Sequence, residues 1–73
     1  MFRILIADDE PLIRVDLKEL LEEIGHQVVA ETGDGKEALA LLNTVRPDLV
    51  ILDIKMPGMS GIEVARRIAH EYP

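Results

Sequence analysis

The sequence contains no cysteine and no tryptophan, and only one phenylalanine and one tyrosine occur among its 73 residues. The lack of cysteine excludes disulfide bonds and thiolate metal sites, and it fits a reducing compartment. The first apolar run, residues 4–7, ends in acidic residues and is far too short for a signal peptide or a membrane-spanning helix. We therefore expect a cytoplasmic location and no membrane partner.

Basic residues are scarce, because 8 Lys and Arg stand against 14 Asp and Glu and give a net charge of −6. Such a chain repels nucleic-acid backbones and offers no basic stripe, so we expect no direct binding of DNA or RNA by this segment. The composition, 48% hydrophobic and 30% charged, is typical of a globular domain. The length predicts a single small domain over residues 1–73 and no second domain.

Three short apolar segments predict strands, at residues 4–7, 28–30 and 49–52. The first and third have no alternation, which predicts strands that are buried on both faces, and the second is a shorter candidate. Helix start and stop signals lie between and after them: Pro11 and Gly25, Asp34 and Pro47, and Ser60 with Glu63 in capping-box spacing. The order along the chain is therefore strand, helix, strand, helix, strand, helix.

Apolar residues at helical spacing predict which face of each helix packs inward. The expected inward sets are Ile13, Leu17, Leu20, Leu21 and Ile24 in the first helix, Ala38, Leu39, Leu42 and Val45 in the second, and Ile62, Ala65, Ile68 and Ala69 in the third.

Alternating strands and helices with right-handed crossovers predict a parallel sheet. Strand order 2-1-3 gives a flavodoxin-like, doubly wound α/β fold. Ligands of such sheets bind beyond the carboxyl ends of the strands, where the winding reverses. Asp8, Asp9 and Asp53 follow the two strands that meet there, so we expect these carboxylates to lie close together.

Carboxylates in one crevice predict a cation site. Two of them about 5 Å apart repel by roughly 3 kcal/mol at an effective dielectric constant near 20. Carboxylate oxygens suit Mg²⁺, and an aspartate beside the metal can attack phosphorus. In this interpretation Asp53 is the nucleophile, while Asp8 and Asp9 bind Mg²⁺ directly or through water. The alternative is that the early acids merely cap the first helix and that Asp53 ends a strand without further function.

Three segments carry a family resemblance: ILIADDE at residues 4–10, DGKEA at residues 34–38 and PDLVILDIKMPGMSG at residues 47–61. They resemble the CheY-like receiver domains of two-component response regulators. The resemblance implies a phosphoacceptor regulatory domain rather than an enzyme, with phosphoryl transfer from a histidine kinase or phosphotransfer protein to Asp53. It also implies Mg²⁺ bound by Asp8, Asp9, Asp53 and the backbone carbonyl of Lys55.

The resemblance further implies elements that these 73 residues do not contain. Receivers continue with a fourth strand ending in Thr or Ser and a fifth ending in Lys. We therefore expect a partial receiver domain of three β-α units, with impaired signal output. The segment PLIRVDL at residues 11–17 is similar to receivers joined to an RNA-binding antitermination output domain, although a first helix tolerates many sequences. Any output domain, RNA-binding or DNA-binding, lies outside this chain.

Two other functions compete with the receiver interpretation. The strand at residues 49–52 would lack its usual outer neighbour, which predicts an interaction module that forms a homodimer through this edge or by exchanging elements. The second alternative is a haloacid-dehalogenase-like phosphohydrolase, which also forms an aspartyl phosphate. Such enzymes have a second acid two residues after the nucleophile, where this sequence has Lys55.

Overall fold

The computed structural model describes residues 1–71, so the last two residues of the predicted domain lie outside the described part. The elements are β1 (Arg3–Ala7), α1 (Pro11–Glu23), β2 (Gln27–Thr32), α2 (Gly35–Val45), β3 (Leu49–Leu52) and α3 (Gly61–Glu71). The strands form a parallel sheet in the order β2-β1-β3, which confirms the predicted fold class and topology. β3 has the predicted bounds, whereas β2 is longer than residues 28–30.

β1 is the most deeply buried element because it has a neighbour on both sides. Its residues Ile4, Leu5, Ile6 and Ala7 have no exposed surface. Parallel strands that are covered on both faces have no polar face, which explains the continuous apolar run. β1 thus fixes the positions of the residues that follow it at the carboxyl end of the sheet.

α2 and α3 pack together on one face of the sheet, where Ala7, Ala38 and Val64 form the buried cluster. The predicted inward residues of α2 are confirmed in Ala38 and Leu42, which are buried. In α3, Ile68 packs against the cluster as predicted.

The rest of the predicted inward face of α3 is wrong. Ile62, Ala65 and Ala69 are exposed, whereas Val64 is fully buried. The buried face includes Gly61 as well as Val64, and a glycine gives no apolar signal. The face of α3 that packs therefore lies one residue position away from most of the predicted inward residues.

α1 lies against β2 and is the least buried of the helices. None of its residues is buried: Leu17 and Leu21 are half-buried, and Ile13, Leu20 and Ile24 are 43%, 55% and 61% exposed. The predicted inward face is therefore only partly correct. Right-handed crossovers in opposite directions place α1 on the sheet face opposite α2 and α3. Among residues 1–71 no second helix covers that face, so the apolar stripe of α1 remains accessible.

Two helix starts agree with the predicted caps. The carboxylate Oδ1 of Asp34 accepts a hydrogen bond from Lys36 N at 2.8 Å, and Ser60 Oγ accepts one from Glu63 N at 3.2 Å. Gly25 follows α1 with a φ of 98°, the left-handed conformation that ends many helices. No helix within the described residues is long and apolar enough to cross a membrane.

Candidate functional site

Three aspartates meet at the carboxyl ends of β1 and β3, as predicted. Asp8 and Asp9 follow β1, and Asp53 follows β3. Each contributes a carboxylate oxygen, and these oxygens all lie within 4.8 Å of one another. Asp8 and Asp53 are half-buried, whereas Asp9 is exposed. The cluster is therefore open to solvent on one side and supported by the sheet on the other.

Backbone hydrogen bonds hold two of these aspartates in line with the sheet. Asp8 N donates to Thr32 O at 2.9 Å, and Asp53 N donates to Ala7 O at 2.8 Å. The parallel ladder thus extends one residue beyond both β1 and β3. Because the two strands are adjacent, this extension fixes the separation of the two carboxylates.

Local turns orient one oxygen of each of these carboxylates. Oδ1 of Asp8 accepts a hydrogen bond from Glu10 N at 2.9 Å, and Oδ1 of Asp53 lies 3.5 Å from Lys55 N. Glu10 is the N-cap residue of α1, and its own side chain makes no capping hydrogen bond. Asp8 accepts a hydrogen bond from the backbone nitrogen of this N-cap residue, so the alternative in which the early acids support the helix start stays open. These contacts leave the Oδ2 atoms of Asp8 and Asp53 available.

None of the three clustered carboxylates forms an ion pair with a side chain of residues 1–71. The ion pairs of this part of the chain join Arg14 to Glu31 and Glu63 to both Arg66 and Arg67. Several carboxylate oxygens without an ion-pair partner form a donor set that suits Mg²⁺. The residues present therefore fit a magnesium site. Lys55 lies exposed in the loop after Asp53, and the role of its carbonyl stays a prediction.

Glycines at the first positions of α2 and α3 let the surrounding loops approach closely. A Cβ atom on Gly61 would overlap the carbonyl oxygen of Asp53, and one on Gly35 would overlap the carbonyl oxygen of Met59. These two close approaches are not among the features predicted from the sequence. Their signal was present, because each glycine directly follows a capping residue, Asp34 or Ser60.

Arg14 was likewise not predicted to lie near the site. Its guanidinium donates a hydrogen bond to the carbonyl oxygen of Asp8 at 2.6 Å. On α1 it precedes Leu17 and Leu21 by three and seven residues, so the three side chains share the face that is turned to β2. An arginine in register with the apolar stripe, one turn after an acidic pair, is the signal that could have identified it.

The fold and the site together define a doubly wound α/β protein with an acidic cluster where the winding reverses. A family model described as the response regulator receiver domain matches residues 4–73. The transcriptional regulatory protein PdtaR of Mycobacterium tuberculosis is 55% identical over 67 residues, which are 92% of this chain and 33% of that protein. The chain thus spans about one third of the length of this curated relative.

Solved structures agree with this match. The response regulator domain of Thermotoga maritima CheB has a TM-score of 0.93 at 32% identity, over 100% of this chain and 55% of that one. The receiver domain of the response regulator NarL from Mycobacterium tuberculosis has a TM-score of 0.90 at 38% identity, over 94% and 56% of the two chains. The chain belongs to the response regulator receiver domain family, whose members act in two-component signalling with kinases or phosphotransfer proteins.

Proposed function

We propose that Asp53 accepts a phosphoryl group from a histidine kinase or phosphotransfer protein. The observation that carries this proposal is the convergence of three carboxylate oxygens within 4.8 Å of one another, none of which belongs to an ion pair among residues 1–71. In the proposal Asp8, Asp9, Asp53 and the backbone carbonyl of Lys55 hold Mg²⁺. Of these donors, the three carboxylates have the support of the geometry.

The proposed step is a displacement at phosphorus. A carboxylate oxygen of Asp53 forms the new O–P bond while the bond from phosphorus to the imidazole nitrogen of the donor breaks, and the electron pair leaves with that nitrogen. The hydrogen bond from Asp53 N to Ala7 O fixes the base of the nucleophile, and half-burial limits its rotation. Bound Mg²⁺ would supply positive charge to offset the charge on the transferred group.

The proposal describes a regulatory phosphoacceptor rather than an enzyme. A phosphohydrolase of the haloacid-dehalogenase type is disfavoured because the position of its second acid is occupied by Lys55 and because the chain belongs to another family. Three statements stay predictions: residues 1–73 cover part of a receiver domain, the location is cytoplasmic, and output by these residues alone is impaired. An output in transcriptional regulation, which the name of the PdtaR relative suggests, is likewise a proposal.

The test is the intact mass of the protein after incubation with acetyl phosphate and Mg²⁺. We expect the wild type to gain one phosphoryl group, and we expect Asp53→Asn and an EDTA-treated sample to gain none. Asp16→Asn is the matched control, because Asp16 is an exposed aspartate on α1 outside the cluster. Labelling of Asp53→Asn at the wild-type level, or no labelling of the wild type, would contradict the proposal.

We also propose that the 73-residue chain pairs with a second copy of itself through β3. Within the described residues β3 pairs only with β1, so its outer edge has unpaired backbone groups. A groove of about 490 Å³ lies beside this edge and is lined by apolar side chains that include Leu49, Val50 and Leu52. Arg46 and Asp48 also line the groove, so a two-fold pairing can place opposite charges against each other.

Sedimentation equilibrium over a range of concentrations tests this pairing. We expect dimers for the wild type and a shift toward monomers for Leu49→Lys, because a lysine at a strand edge opposes pairing. Leu12→Lys is the control, because Leu12 is 75% exposed on α1 and outside the groove. A wild-type monomer at high concentration would exclude the dimer and leave the phosphoacceptor proposal intact.

A further inference from the structure

Arg14 joins the loop after β1, which carries Asp8 and Asp9, to the sheet by two contacts from one guanidinium group. Its Nη1 donates to the carbonyl oxygen of Asp8 at 2.6 Å, and its Nε donates to Oε1 of Glu31 at 3.2 Å. The side chain of Arg14 is only 20% exposed, which is low for an arginine on a surface helix. Since Glu31 belongs to β2, the guanidinium bridges the loop after β1 and the neighbouring strand.

Asp8 is held by three hydrogen bonds, and only the one from Arg14 depends on another residue's side chain. In the other two bonds the partner of Asp8 is a backbone group: Asp8 N donates to Thr32 O, and Glu10 N donates to Oδ1 of the Asp8 carboxylate. The carbonyl group of Asp8 lies in the same rigid peptide plane as the nitrogen of Asp9. A donor that fixes this carbonyl therefore fixes the peptide that joins two of the three clustered acids.

Gly33, which directly follows β2, lies close to the guanidinium. A Cβ atom added to Gly33 would lie 3.0 Å from Nη1 of Arg14 and 3.3 Å from Cα of Asp9. Both distances are shorter than ordinary van der Waals contact for such an atom. The guanidinium, the Asp8–Asp9 peptide and the end of β2 therefore lie close together. The planar fork of arginine suits this bridge, because its donors have a fixed relative geometry.

We propose that Arg14 is a positioning residue for the metal site, which clamps the Asp8–Asp9 peptide to β2 and thereby increases the affinity for Mg²⁺. The inference rests on the proposed function, in which the three aspartates bind Mg²⁺. Arg14 itself touches neither the metal nor the phosphoryl group in this proposal, and it acts through the backbone of Asp8.

Charge alone predicts the opposite effect, which makes the inference easy to test. A fixed cation near a metal site repels the metal, so removing Arg14 would strengthen Mg²⁺ binding if the guanidinium acted only by its charge. The positioning role predicts that the same removal weakens binding. The sign of the change therefore separates the two roles.

The experiment is calorimetric titration of the 73-residue chain with Mg²⁺, accompanied by urea unfolding without metal. For Arg14→Gln we expect the Kd to rise about tenfold, a typical loss when a group that orients a metal ligand is removed. Arg14→Lys retains the charge but replaces the planar fork by a single donor nitrogen, so its Kd should fall between those of the wild type and Arg14→Gln. Glu31→Gln should raise the Kd about twofold to fivefold, since it weakens the contact of the guanidinium with β2 but leaves its bond to Asp8 in place.

Arg67→Gln is the matched control, because it removes one positive charge from a pair on α3, away from the cluster. Its Kd should equal that of the wild type. A Kd for Arg14→Gln that is unchanged or lower overturns the inference alone. If Arg14→Gln does not fold, an unchanged Kd for Glu31→Gln overturns it instead. Absence of Mg²⁺ binding by the wild type overturns the metal site of the proposed function together with this inference.

Discussion

The two ends of the sheet use charged residues in opposite ways. At the amino ends of the strands, charged side chains bond to the backbone: the Arg3 guanidinium donates to Val45 O and Arg46 O, both at 2.7 Å. These carbonyls belong to the last turn of α2, where a positive charge also complements the helix dipole. The carboxylate of Asp48 accepts a hydrogen bond from Arg3 N at 2.8 Å. The charged side chains at this end therefore stabilise the fold.

At the carboxyl ends, the backbone satisfies itself and the charged side chains have few internal partners. Gly61 N donates to Ile54 O at 2.9 Å, and Gly35 N donates to Pro57 O at 3.3 Å. These bonds and the close approaches of the two glycines involve no side chain of the three clustered aspartates. The hydrogen bonds of the Asp8 and Asp53 carboxylates are with backbone groups of their own turns, which leaves their other oxygens available to a ligand. Four substitutions test this difference.

The largest effect is expected for Gly61→Ala. The added methyl group would overlap the carbonyl oxygen of Asp53, and because both partners are backbone they cannot move aside cheaply. We expect the free energy of unfolding to fall by about 3 kcal/mol, measured by urea denaturation. Gly25→Ala is the control, since Gly25 has a positive φ but no atom within 4 Å, and it should cost about 1 kcal/mol. Equal losses would show that packing at Gly61 does not hold this end.

Arg3→Gln should destabilise the fold at the amino ends of the strands without affecting Mg²⁺ binding at their carboxyl ends. It removes charged hydrogen bonds to the last carbonyls of α2, so we expect a loss of about 2 kcal/mol in the free energy of unfolding. The Kd for Mg²⁺ should not change. Arg66→Gln, at a side chain that is 72% exposed, is the control and should cost far less. A changed Kd in Arg3→Gln would show that the two ends are coupled.

Asp53→Asn should be more stable than the wild type in metal-free buffer. Removing one of three neighbouring negative charges should raise the free energy of unfolding by about 1 kcal/mol in a partly solvated site. Mg²⁺ at ten times its Kd should stabilise the wild type by about 1.4 kcal/mol and the variant by less, so the stability advantage of the variant should shrink. Asp16→Asn should show neither effect. A less stable Asp53→Asn without metal would mean that this carboxylate supports the fold.

Glu63→Gln, on the outer surface of α3, should have the smallest effect. Glu63 pairs with Arg66 at 3.0 Å and Arg67 at 3.2 Å, but both arginines are largely exposed. We expect a loss of about 0.5 kcal/mol at low salt and none in 1 M NaCl. A loss as large as that of Arg3→Gln would show that surface charge pairs, and not only the amino-end bonds, hold this fold.

The topology and the clustering of the acids could be predicted because their signals are local. Each strand is a short apolar run, and the acids follow these runs directly, so the crossover rule alone brings Asp8 and Asp53 together. The caps at Asp34 and Ser60 follow from side chains that hydrogen-bond within three residues. None of these features depends on knowing which distant side chains touch.

The features that were missed depend on contacts between distant parts of the chain. The exposure of α1 and the burial of Val64 reflect which sheet face each helix covers and what lies beside it. The close approach of Gly35 to Met59 and the hydrogen bond from Arg14 to Glu31 join different β-α units. The pattern of residue types along one segment carries no information about which other segments it contacts.

The central position of β1 has a consequence for synthesis. β1 emerges from the ribosome before β2 and β3, yet Arg3 of β1 donates a hydrogen bond to Asp48, which directly precedes β3 and follows Arg3 by 45 residues. At roughly 5 to 20 residues per second, that interval is about 2 to 9 seconds. During this time the most apolar strand has at most one neighbour, β2, so the nascent chain passes through a stage in which its future centre is open to aggregation.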